Sequence, residues 1–159
     1  MSLIEQLTTT LREKNLILAT AESCTAGMIA AAITDVSGAS DVFDRGFVTY
    51  SNQSKRDMLG VSVDVLNTFG AVSAQCAGAM VLGALENCAA ANIAVSVTGI
   101  AGPNGGTPEK PVGLVYIGVC IRGKEPMIEE CFFNGSRAAI RKSTVEKALE
   151  LLIEAALTV

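Results

Sequence analysis

Without a single histidine, any hydrolytic chemistry in this chain has to find another base, and Ser23 and Lys55 are the residues that could supply it. A Ser-His-Asp arrangement is excluded, which leaves a Ser-Lys pair as the remaining way to activate a serine. Ser23 lies in ILATAESCTAG, residues 17–27, where an apolar run meets a Ser-Cys-Thr cluster and a glycine before MIAAAI resumes as a helix would. A hydroxyl projecting from a strand-to-helix turn would have the main-chain N–H groups of Thr25, Ala26 and Gly27 at hand for an oxyanion or a phosphate. The plainer alternative is a helix cap, a position serine favours for its local hydrogen bonds.

Lys55 falls in the first turn of a helix expected over NQSKRDML, with Arg56 beside it. The positive end of the helix dipole and the neighbouring cation both disfavour an ammonium, and desolvation would add to them, lowering the pKa toward that of a general base. The alternative is a solvated surface lysine. Tyr50, just ahead, could relay a proton or donate a hydrogen bond. Cys24 is a rival nucleophile, since a helix N-terminus also favours a thiolate, although a cysteine packed under the turn is the commoner outcome.

Arg137 and Arg141 are four residues apart, on one helical face directly after an expected cap at Ser136. Cations are misplaced at a helix N-terminus unless an anion binds there, so the pair suggests a phosphate or carboxylate ligand; a solvent-facing pair is the alternative. The loop TGIAGPNGG contains Thr98, Gly99 and Gly102 but matches no G-x-x-x-x-G-K-[ST] pattern, and a strand rather than a helix follows it. Its glycines permit close backbone approach to a ligand, which assigns it to a pocket wall. Asp35, Asp41 and Asp44 are isolated carboxylates, and no metal or redox cofactor is expected.

These groups need elements to bring them together. Ser2 with Glu5 three residues later reads as a capping box for a first helix carrying Leu3, Leu7 and Leu11. A short strand is expected at 16–20, a helix at 25–34, a strand over GFVTYS, the NQSKRDML helix closed by Gly60, and a helix at 73–91 that is apolar on several faces. NIAVSVTG reads as a strand entering a loop that holds three of the four prolines. Strands near 113–122 and 127–133 flank GKEP, a hairpin signal, and a closing amphipathic helix starts at 137. The hairpin makes the sheet mixed, so the expected fold is α/β: a three-layer αβα sandwich with about five strands. In such sheets ligands sit beyond the carboxyl ends of strands, where 22–27, 50–55 and 98–106 would converge.

Composition bounds the rest. With 159 residues and 50% hydrophobic residues, one globular domain over 1–159 with a sizeable core is expected. No apolar run is long enough for a bilayer and the N-terminus lacks signal-peptide character, so a cytoplasmic protein without membrane association is expected. Five cysteines without a C-x-x-C pair read as reduced thiols. A net charge of −4 argues against nucleic-acid binding. The apolar helix at 73–91 could pack within the domain or across a homo-oligomer boundary.

Together, TAESCTAG, GFVTYSNQSKRDMLGV, GAVS, VTGIAGPNGGTPEKPVG and SRAAIRKSTVEKAL resemble the C-terminal domain of the CinA family, the nicotinamide mononucleotide deamidases. The similarity spans nearly the whole chain. It implies a Ser/Lys amidohydrolase that releases ammonia from nicotinamide mononucleotide, with Ser23 as nucleophile, Lys55 as base and Tyr50 as a supporting hydroxyl. Thr98 and the glycines of its loop would line the pocket, and Arg137 would face the substrate. The chain departs from the family's CTGG at Ala26, whose added methyl would narrow the backbone approach at that amide. The other readings are a nucleotide-binding module that does not hydrolyse, and an interaction subunit of a larger competence or repair assembly.

Overall fold

The computed structural model describes residues 1–159. Its centre is an open five-stranded sheet in the order β2-β1-β3-β4-β5, formed by β1 (Leu18–Glu22), β2 (Phe43–Val48), β3 (Ile93–Gly99), β4 (Leu114–Ile121) and β5 (Met127–Phe132). β1 pairs in parallel with both β2 and β3, whereas β3–β4 and β4–β5 are antiparallel. The mixed αβα sandwich expected from the hairpin is therefore present.

Alternation along the strands separates two cores. Ile93, Val95 and Val97 of β3 and Val115, Ile117 and Val119 of β4 pack on the side of α1 (Leu3–Glu13), α2 (Met28–Thr34) and α6 (Arg137–Leu157). There they meet Leu7, Leu11, Ile140 and Leu152, and each such aliphatic side chain contributes about 1.5–3 kcal/mol on burial. The opposite face carries small residues. Ala19, Ala21 and Ala94 pack with α5 (Ala74–Glu86), against which α3 (Asn52–Leu59) and α4 (Val63–Phe69) also lie. A side chain at Gly83 would come within 2.0 Å of the Leu59 carbonyl oxygen, so glycine is what lets α5 approach the end of α3. The sheet is equally tight beneath it: Ser96 Oγ donates to the Ala77 carbonyl at 2.7 Å.

Several elements differ from expectation for identifiable reasons. The strand expected at 16–20 lies at Leu18–Glu22, because Glu22 is buried in the strand rather than starting the turn. The strand in GFVTYS starts earlier, at Phe43, and ends at Val48. The helix expected from 25 begins at Met28, since Ala26 (φ 47°) and Gly27 (φ 97°) are both left-handed. α5 ends at Glu86 rather than 91: Arg122 donates to the carbonyls of Leu85, Cys88 and Ala91, which closes the helix and turns the chain toward β3. Helix α4, capped by Ser62, was not anticipated; it buries only Leu66. No helix is long and apolar enough to cross a membrane.

Candidate active site

The three parallel strands end side by side, and the loops leaving them form the site. Ser23 directly follows β1, and its N–H donates to the Val97 carbonyl of β3 at 3.1 Å, which fixes the turn against the central strand. On the other flank, the Thr49 N–H donates to the Glu22 carbonyl at 2.8 Å and holds the end of β2 in place. Ser51 then caps α3 by accepting from the Ser54 N–H at 3.0 Å, and one turn into that helix Lys55 points back under the turn.

Lys55 is 1% exposed and Ser23 is 8% exposed. Lys55 Nζ lies 2.9 Å from Ser23 Oγ, and it donates to the main-chain carbonyls of Thr49 at 2.8 Å and Tyr50 at 3.2 Å. No carboxylate is within ion-pair distance of it. Burial pushes the Lys55 pKa below its ordinary value, opposed only by weak attraction from Cys76 and Cys24. With Ser23 Oγ as a third acceptor an ammonium is fully partnered here, and loss of one proton leaves the amine donating to the two carbonyls with its lone pair toward the serine hydroxyl. Of the three causes anticipated from sequence, desolvation leads, and Arg56 is not among those that act on the amine.

Ser23 is not a helix cap. Gly27 occupies the cap position of α2 without any side-chain hydrogen bond. The N-terminus of that helix is instead filled by Glu22, 1% exposed, which accepts from the N–H groups of Ile29 at 2.9 Å and Ala30 at 3.1 Å and from Thr25 Oγ1 at 2.6 Å. An anion from solution therefore has no access to this helix end.

Cys24 is buried, and burial pushes its thiol up to about 11, so it remains protonated and poorly nucleophilic. The Ala26 N–H donates to the Ser23 carbonyl at 3.1 Å, which removes it from the set of oxyanion donors expected from sequence. The N–H groups of Cys24 and Thr25 donate to no main-chain carbonyl. The Thr25 side chain is committed to Glu22.

A cleft of about 270 Å³ opens over Ser23 and Lys55, just below the size range of small-molecule sites, roughly 300–1,000 Å³. Its walls come from all three converging segments and include Cys24, Tyr50, Thr98, Gly99, Gly102 and Arg137. Thr98 contributes architecture, since its hydroxyl donates to the Ala71 carbonyl at 2.8 Å and so draws Ala71 into the wall. Gly102 (φ 76°) presents its carbonyl to Arg137 at 2.9 Å. The second Arg137 nitrogen donates to the Tyr50 hydroxyl at 3.1 Å. Tyr50 thus meets the Ser-Lys pair through its carbonyl, whereas its hydroxyl stands with the arginine at the mouth.

Four expected substrate contacts are not in the walls: Thr25, Ala26, Gly27 and Arg141. Arg141 lies behind the turn, donating to the carbonyls of Cys24 at 2.9 Å and Thr25 at 3.4 Å. Two asparagines without an assigned role do line the cleft, Asn52 and Asn104, and neither side chain is hydrogen-bonded within the chain. Both sit in segments the sequence marked as convergent, but amides in polar loops carry no signal that separates them from ordinary turn residues.

Similarity to known proteins is high across this architecture. The family described as CinA C-terminal domain matches residues 1–156. A CinA-like protein from Akkermansia muciniphila is 50% identical over 145 residues, covering 91% of this chain and 35% of that protein. A CinA-like protein from Syntrophobacter fumaroxidans is 49% identical over 142 residues, covering 89% of this chain and 33% of that protein. This chain thus spans about a third of the length of the curated relatives it matches. Among solved structures, the competence/damage inducible protein CihA from Agrobacterium tumefaciens is 49% identical with a TM-score of 0.90, covering 97% of this chain and 96% of that one. A competence-damaged protein (CinA) superfamily protein from Klebsiella pneumoniae is 33% identical with a TM-score of 0.94, covering 99% and 97%.

Proposed function

The chain belongs to the family of CinA C-terminal domains, and from that premise we propose that it is an amidohydrolase acting through Ser23 and Lys55 on the carboxamide of nicotinamide mononucleotide. The observation that carries this reading is the buried contact of 2.9 Å between Lys55 Nζ and Ser23 Oγ, with no carboxylate at hand to hold the amine charged.

Ser23 Oγ attacks the carboxamide carbon while the Lys55 lone pair takes its proton. The carbonyl π pair moves to oxygen, and the oxyanion is held by the N–H group of Cys24, one such donor being worth about 10²–10³ in rate. The Lys55 ammonium returns its proton to the departing nitrogen and ammonia leaves. Water then adds to the ester carbonyl, gives a proton to Lys55, and collapse releases nicotinate mononucleotide with Ser23 regenerated. Water is the only co-reactant. Arg137, braced by Gly102 and the Tyr50 hydroxyl, supplies the charge for the substrate's phosphate.

Ammonia release from nicotinamide mononucleotide, compared with release from a simple amide without phosphate, tests the assignment. A large preference for the nucleotide is expected. Binding of the nucleotide with no acid formed over many hours would replace the enzyme by a nucleotide-binding module.

A further inference from the structure

Of the side chains lining the cleft, most hydroxyl and charged groups are already engaged: Ser23 with Lys55, Thr98 with the Ala71 carbonyl, and Arg137 with the Gly102 carbonyl and the Tyr50 hydroxyl. Asn52 and Asn104 are different. Each keeps a whole carboxamide, with two N–H donors and one carbonyl acceptor, open to a ligand. Their places in the chain tie each to one end of the cleft. Asn52 is the first residue of α3 and three before Lys55, so it shares that residue's helical face one turn nearer solvent. Asn104 comes two residues after Gly102, whose carbonyl braces Arg137, on a loop also held where Lys110 Nζ donates to the Phe69 carbonyl. One amide therefore stands beside the reacting pair and the other beside the cation at the mouth. A molecule whose carboxamide meets Ser23 and whose phosphate meets Arg137 carries the part that joins them past both. No carboxylate lines the cleft, and its two cations are Lys55 and Arg137, so the stretch between suits a neutral group rich in hydroxyls. A hydroxyl both gives and accepts a hydrogen bond, and so does a carboxamide.

We propose that Asn52 and Asn104 are specificity-determining residues that bind the ribose hydroxyls of the nucleotide, so that the cleft reads the sugar as well as the amide and the phosphate. The inference rests on the reading of a nucleotide that lies from Ser23 to Arg137. Both asparagines are exposed in the open cleft, so each neutral hydrogen bond replaces one to water and is worth about three- to tenfold in affinity.

Calorimetric binding to Ser23→Ala, which leaves the amide uncleaved, tests this with four probes: nicotinamide mononucleotide, its 2′-fluoro and 3′-deoxy counterparts, and nicotinamide riboside, which lacks the phosphate. Each sugar change should weaken binding about three- to tenfold. Asn52→Ala and Asn104→Ala, each added to Ser23→Ala, should weaken binding of the parent nucleotide by a similar factor, and with both asparagines replaced the three nucleotides should bind alike. The ratio of nucleotide to riboside affinity, set by Arg137, should stay constant throughout, which a displaced loop or helix would not allow. Equal affinity of Ser23→Ala for the three nucleotides would overturn the proposal, as would sugar discrimination that persists without either asparagine. A changed nucleotide-to-riboside ratio would mean that the amides serve the phosphate, and would overturn it too. Ammonia release by the wild type is scored separately. Sugar discrimination without ammonia would remove the amidase reading and leave the asparagine assignment standing, whereas ammonia release indifferent to the sugar would do the reverse. Neither binding nor ammonia with any nucleotide would remove both.

Discussion

Glu22 and Lys55 are both 1% exposed and both bear on the same turn, yet their surroundings do opposite things to a charge. Glu22 is met by donors: two main-chain N–H groups at the start of α2, the Thr25 hydroxyl, and more distantly Thr20 Oγ1 at 3.4 Å. Every contact offers a hydrogen-bond donor to its oxygens, and the helix end it occupies is positive. Lys55 is met by two carbonyls and a hydroxyl, all neutral, with no carboxylate to offset desolvation. Burial therefore does not by itself mark a reactive group. Glu22 holds the turn, and Lys55, with nothing nearby to stabilise its charge, is the group that can give up a proton beside Ser23.

Removing the reactive member of this contrast should have the largest effect. Ser23→Ala and Lys55→Ala are each expected to lower ammonia release by about 10³-fold or more, with circular dichroism retained. Turnover close to wild type in both variants would remove the dyad. Glu22→Gln should act on folding instead. It replaces one carboxylate oxygen by an NH₂ group that confronts an N–H donor, at a cost of about 2–3 kcal/mol, or roughly 5–10 °C in Tm. A Glu22→Gln variant with unchanged Tm but impaired turnover would invert the division of labour.

The pH dependence sharpens the same contrast. Because the folded-state pKa of Lys55 lies below its ordinary value of 10.5, the unfolded chain binds more protons in the interval between the two. Stability contributed by this site therefore rises with pH across that interval, and relative to Lys55→Met the wild type should gain Tm as pH increases through it. The acylation rate should rise over the same range as the amine loses its proton, with a midpoint below 10.5. A rate that stays flat up to that value would leave Lys55 without a role as base.

Much of this site was legible because it is local. The cap at Ser136, the helix over NQSKRDML and the strand in NIAVSVTG depend on nearest neighbours, and they bring residues 22–27, 50–55 and 98–106 to one edge of the sheet. Glu22 was not legible. An acidic residue after an apolar run reads as the start of a turn, and only the arrival of α2 above the strand makes burying its carboxylate affordable. Arg141 failed for a related reason. Its spacing from Arg137 predicted a shared face, but the carbonyls it meets belong to a turn 116 residues earlier in the chain. Tyr50 was placed correctly beside the dyad, yet which of its groups makes the contact depends on backbone direction, and residue identity cannot encode that.

The smallest effect concerns the turn between the two buried groups. Ala26 holds φ 47°, a left-handed conformation that costs a residue with a Cβ about 1–2 kcal/mol. Ala26→Gly removes that strain but gives the unfolded chain more freedom, which returns roughly 0.4–1 kcal/mol, so a net gain of about 0.5–1 kcal/mol is expected. In Tm this is about 1–4 °C. The Ala26 side chain is exposed and outside the cleft, and the N–H bond to the Ser23 carbonyl does not depend on it, so kcat should stay within about twofold. Calorimetry and ammonia assays on one variant separate the two quantities. Higher Tm with unchanged kcat would mean that Glu22 and Arg141 set the turn geometry, whereas a marked change in kcat would mean that the methyl group at this position shapes the nucleophile after all.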